Sequence, residues 1–144
     1  MCRIVVPFGG VECTVRVEDL PYLRSDWLWH RWSAWMPLNA AHPLALAQLP
    51  LAPGLYRIRR ADRPTDLHWI GWADRGVREV VERLSRQVHL PVAPYDDPRS
   101  PALSLWRLRR DEGISFEVSG AAIESGGPDL AQSAWDTYRG NRSQ

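Results

Sequence analysis

The stretch WIGWADRGVREVVERL, residues 69–84, decides how this chain is read. It passes from an aromatic, apolar run through a short polar turn into a helix start. Val77, Val80, Val81 and Leu84 fall on one face at helical spacing, so residues 76–87 are predicted to form an amphipathic helix. Arg75, Arg78, Glu79, Glu82, Arg83 and Arg86 lie around its other side. Just upstream, GLYRIRRA (residues 54–61) alternates Leu55, Tyr56 and Ile58 with arginines. RPTD reads as a turn, and LHWIGWA (residues 67–73) as a second strand. The two strands are expected to pair as an antiparallel hairpin.

Working outward, PVAPYDDPRSP (residues 91–101) is a loop, because its prolines break regular elements. ALSLWRLRR (102–110) reads as a short helix with Leu105 and Trp106 inward. ISFEVSGAAI (114–123) alternates Ile114, Phe116 and Val118 with polar positions, a third strand of this half. Pro128 suits a helix start, and residues 129–139 close the chain with a helix burying Leu130, Ala134, Trp135 and Tyr138.

On the N-terminal side, residues 2–7 and 11–17 flank Gly9 and Gly10 and are rich in β-branched residues, a hairpin signal. Leu28, Trp32 and Trp35 then follow i, i+4, i+7 spacing, with Ser25 or Asp26 as a cap, so a helix is expected there. Four tryptophans at 27, 29, 32 and 35 suit a core or a dimer contact better than ligand stacking. Residues 37–53 form a Pro/Ala/Leu-rich connector with room for a short turn at 44–49, and His42 is a loop residue. The expected class is α+β: a small three-stranded antiparallel sheet flanked by helices over residues 51–144. Residues 1–50 supply a hairpin, a Trp-rich helix and the connector.

A chain of 144 residues, 44% hydrophobic and 24% charged, has the composition of one ordinary globular domain. It has no apolar run of bilayer length and no signal-peptide pattern, so a cytoplasmic protein with no membrane partner is expected. Cys2 and Cys13 are then free thiols, and no Cys or His sits at zinc-ligand spacing, so no metal site is read from the residues. All 18 basic residues are arginine. The net charge of +1 conceals a balance of +5 in residues 51–110 and −4 in residues 111–144. A basic middle is either an electrostatic footprint for phosphates or a solvated face paired with the acidic tail.

The order strand–strand–helix–helix–strand–helix, opened by G-L-Y and W-I-G, resembles the GIY-YIG nuclease superfamily over about residues 50–139. WIGWADRGVRE, PYDDPRSPALSLW and LAQSAWDTYR carry the resemblance. It implies hydrolysis of a phosphodiester with one Mg²⁺. A phenol on the first strand would help activate water, and a second aromatic hydroxyl would support it. An arginine on the first helix would stabilise charge on the phosphate, and a glutamate on the last helix would hold the metal. Carried over residue by residue, the first tyrosine is Tyr56. The second is Trp69, whose indole donates but cannot accept a proton. The catalytic arginine position falls on Val80, with Arg78 in the non-catalytic place, and the metal glutamate position falls on Ala131.

The expected site is therefore Tyr56, Trp69 and Arg78, in a pocket with Trp72, Val80 and Ala131, and no cofactor unless cleavage and its Mg²⁺ survive. The leading expectation is a pseudo-nuclease that has lost cutting. It would associate with nucleic acid through Arg57, Arg59, Arg60, Arg75, Arg78, Arg83 and Arg86, with Trp69 and Trp72 stacking on bases. The alternatives are a small-molecule site using Tyr56 between tryptophan walls, a scaffold docking or dimerising through the Trp-rich segment, and an active endonuclease with relocated groups. Asp96 and Asp97 read as turn caps rather than a carboxylate pair. His68 is expected to point away from Trp69 by strand alternation. His30, His89 and Cys13 show no partner pattern.

Overall fold

The computed structural model describes residues 3–8, 11–16, 20–39 and 43–143. Its elements, in chain order, are strands β1 (Arg3–Phe8), β2 (Val11–Arg16) and β3 (Met36–Pro37) and helix α1 (Pro43–Leu46), followed by strands β4 (Gly54–Arg60) and β5 (Arg63–Ala73). Helices α2 (Val77–Val88) and α3 (Ala102–Glu112), strand β6 (Phe116–Ala122) and helix α4 (Pro128–Ser143) complete the chain. β1 and β2 form the expected antiparallel hairpin, Phe8 opposite Val11. Its Gly9–Gly10 turn, Cys2 and His42 lie outside the described residues.

The fold is α+β, and the central sheet has four antiparallel strands in the order β3-β6-β4-β5, not three. The added strand is only Met36–Pro37, paired with Val118 and Glu117. Two residues, one a proline, carry no alternation for a reader to find. The RPTD segment also differs from expectation. The chain turns at 61–62, Arg60 faces Arg63, and Pro64, Thr65 and Asp66 already belong to β5. Register shifts on both sides of Arg59 absorb the extra β5 residues.

Both faces of the sheet are covered, which is why β4 is buried from Gly54 to Ile58. One core contains Tyr56, Ile58, Val77, Val81, Leu84, Val88, Leu105, Phe116 and Val118, roofed by α2 and α3. The other contains Tyr22, Leu23, Trp27, Trp32, Leu55, Ile70, Ala134 and Tyr138, roofed by segment 20–35 and α4. Each fully buried aliphatic side chain contributes roughly 1.5–3 kcal/mol relative to exposure. The four buried apolar residues of α2 therefore outweigh its lack of a side-chain N-cap. Backbone replaces that cap: Val77 N–H donates to Ala52 O at 3.0 Å and Arg78 N–H to Pro50 O at 2.9 Å.

Segment 20–35 is not the expected helix. It makes two 3-10 turns, Pro21–Leu23 and Trp27–Trp29, and then runs extended into β3. Leu28 and Trp29 take positive φ values of 59° and 64°, outside helical space. The carbonyls a helix would use are taken elsewhere: the guanidinium of Arg57 donates to Tyr22 O, Leu23 O and Arg24 O. The helical spacing of Leu28, Trp32 and Trp35 instead places all three against the second core. No helix among the described residues is long and apolar enough to cross a membrane.

Candidate functional site

In the β4–β5 register Tyr56 faces Gly71, and Ile58 faces Trp69. The two short motifs thus form one hairpin in which the Tyr56 ring lies across Gly71. A Cβ built there would sit 2.4 Å from Tyr56 Cζ. Trp69 Nε1 donates to Tyr56 Oη at 3.2 Å, so the structure brings these two expected site residues together. The phenol is 3% exposed. Burial pushes its pKa up to about 12, against the pull of the Trp69 donor, and the Asp97 carboxylate adds to the rise. A buried phenol that holds its proton so tightly, with its lone pair turned to an indole, is poorly placed to accept a proton from water at neutral pH.

The remaining pocket residues do not gather around it. Val80 packs against the core that holds Tyr56 and Trp69. Trp72 and Ala131 pack against the other core, across the sheet. The cause is strand alternation: Trp72 is three residues beyond Trp69 and so takes the opposite face. The tryptophan-walled pocket around Tyr56 is therefore divided by the sheet. Arg78 Nε donates to Leu49 O at 2.9 Å and ties the start of α2 to the preceding loop.

His68 departs from expectation. The register passes from Ile58↔Trp69 to Arg59↔Leu67, leaving His68 as the extra residue of a bulge. Its Nε2 lies 3.2 Å from Ser104 Oγ on α3, and its ring is 6.0 Å from Phe116, on the side that also holds Trp69. Burial, with Arg60 nearby, lowers its pKa. Asp97 caps a turn as expected, its Oδ1 accepting from Arg99 N–H at 2.9 Å.

The arginines divide into two groups. Arg57 is 1% exposed and stacks its guanidinium 4.3 Å from the Trp32 ring and 4.6 Å from Trp35. Burial lowers its pKa to about 9, still well above neutral pH, so it carries its charge there. Arg59 pairs with Glu117 at 2.9 Å and lies over Trp35. Arg60 forks onto both oxygens of Asp62, at 2.9 and 2.8 Å. The expected phosphate-binding face included these three, but each is engaged within the fold, and Arg57 is buried there with both terminal nitrogens bonded and its Nε unpaired. No local pattern announces this, because the carbonyls that hold Arg57 lie 33 to 35 residues away.

Arg75, Arg83 and Arg86 are the second group. All three are exposed, and none has an ion-pair or hydrogen-bond partner among the described residues. Between residues 75 and 88 the exposed charged side chains are these three arginines and Glu79. On α3, which packs against α2, Arg107 and Arg109 are exposed too, ahead of Asp111 and Glu112. The N-terminus of α2, where free N–H groups would favour an anion, is closed by Pro50 and Ala52. Phosphate contacts on this face would come from side chains alone.

The residues present do not fit a Mg²⁺ ion of the kind the resemblance implies. Ala131 offers no oxygen, and no group of three His, Cys, Asp or Glu among the described residues could hold a metal ion. One residue that sequence reading folded into the core stands apart: Trp29 is 97% exposed. Its i, i+2 offset from Trp27 is the only signal that it faces elsewhere. No family model, curated protein or solved structure matches this chain.

Proposed function

We propose that this chain is a nucleic-acid-associating module on a GIY-YIG-like scaffold that no longer cuts. The order β4–β5–α2–α3–β6–α4 and the pairing of Tyr56 with Gly71 support the scaffold part of this reading. The loss of cutting is supported by the buried phenol, by Trp69 donating to it, and by Ala131 where a metal carboxylate would be needed. The observation that carries the association is the outer side of α2 and the turn that leads into it: Arg83 and Arg86 on the helix and Arg75 just before it are exposed and free of partners among the described residues, against one exposed glutamate, Glu79. A surface of this kind binds the phosphate backbone by releasing condensed counterions, without reading bases.

The test is binding of a labelled DNA duplex at low salt by the wild-type chain and by Arg83→Glu/Arg86→Glu. Both positions are exposed, so folding is expected to be unchanged. Affinity should fall by about tenfold or more, and the salt slope should shrink by about one for each arginine that no longer meets a phosphate. In the same tubes Mg²⁺ or Mn²⁺ should leave the DNA intact. Equal binding by the double variant would remove α2 from the account. Metal-dependent nicking that disappears in Tyr56→Phe would restore the nuclease.

A further inference from the structure

Trp29 is the most exposed large apolar side chain in the described structure, at 97%. It is not a loose end. Leu28 and Trp29 both take left-handed backbone, with φ of 59° and 64°, a conformation that disfavours any residue with a Cβ. The turn is fixed from both sides. Trp29 N–H donates to Asp26 O at 3.0 Å, Trp32 N–H to Ser25 O at 2.9 Å, and Trp32 Nε1 to Trp27 O at 2.9 Å. The fold thus accepts local strain to hold an indole out in water, a combination characteristic of functional surfaces. A large ring presented on a rigid turn loses little freedom on binding.

The charges beside it select the occupant. Arg31, two residues on, is exposed and has no partner among the described residues, and Asp26 on the same turn is paired with Arg24 at 3.1 Å. A flat π-face beside a free cation matches an unpaired base and its phosphate, since every base can stack and every link carries a negative charge. We propose that Trp29 is a stacking platform for an unpaired base of a single-stranded nucleic acid, with Arg31 on the adjoining phosphate. This rests on the nucleic-acid reading above and adds a preference for single strands, which the arginines of α2 do not supply.

Fluorescence anisotropy on a labelled 12-nucleotide oligothymidine and on a 12-base-pair duplex, with wild-type, Trp29→Ala and Trp29→Phe proteins, tests it. Stacking on one base is worth a factor of about ten or more by alanine substitution. Trp29→Ala should therefore lose about tenfold on the single strand and nothing on the duplex, and Trp29→Phe should keep most of the affinity. Wild-type affinity for the single strand in Trp29→Ala overturns this inference and leaves the α2 reading intact. Failure of the wild-type protein on both probes overturns both. A drop in sedimentation mass in Trp29→Ala would overturn it in favour of a second copy covering the indole.

Discussion

Replacing Arg57 with alanine is expected to remove about 3–5 kcal/mol of folding stability, a large share of the total for a chain of this size. The guanidinium donates to Tyr22 O at 2.7 Å, to Arg24 O at 3.0 Å and, at longer range, to Leu23 O and Ser119 Oγ. Its flat faces fill the space between Trp32 and Trp35. Alanine would leave Tyr22 O and Arg24 O without this donor, at about 1–3 kcal/mol for each that water cannot reach, while Leu23 O keeps the Trp35 indole at 3.1 Å; it would also open a cavity beneath two indoles. Arg57→Lys should fall between the two: it keeps a charge but loses the planar fork that spans several carbonyls. Urea unfolding followed by tryptophan fluorescence checks both variants. A loss below about 1 kcal/mol for Arg57→Ala would mean that segment 20–35 is held by its own packing.

The second large effect is expected at Gly71. A methyl group there would lie 2.4–2.6 Å from Tyr56 Cζ, Oη and Cε1. The ring cannot swing away, because Tyr56 is 3% exposed and hydrogen-bonded to Trp69. Gly71→Ala should therefore destabilise by about 1–3 kcal/mol through overpacking. The clash has one identifiable partner, so shortening the ring should relieve it. Gly71→Ala/Tyr56→Leu is expected to be less destabilised than the sum of the two single variants, with a coupling of about 1 kcal/mol or more. Strict additivity in that cycle would show that the glycine is needed for backbone reasons and not to make room for the phenol.

These two positions show what could be read in the sequence. The hairpin around Tyr56 and Gly71, the helices near residues 76, 102 and 128, and the third strand all declare themselves through period and turn residues, and all are present. Segment 20–35 does not, because its geometry is set by a side chain from β4 that outcompetes helical hydrogen bonding. The same long-range contact explains why Arg57 reads as a surface cation. On β4, alternation marks a polar outer face only where that face meets water; here both faces are roofed. At the site, strand pairing is enough to bring Trp69 to Tyr56. The bulge that turns His68 toward Ser104 comes from a register shift that no residue type announces. Arg83 and Arg86 are legible because the apolar stripe of α2 points the other way.

The central claim, a phosphate-holding face that has outlived its chemistry, is tested most directly by titrating the wild-type chain with a labelled 20-nucleotide single-stranded DNA as sodium chloride is raised. Four exposed arginines, Arg75, Arg83 and Arg86 with Arg31 beside the Trp29 platform, contributing about −0.7 each, predict a slope of log K on log salt of about −3. A flat response, or no binding at the lowest salt, would contradict the account.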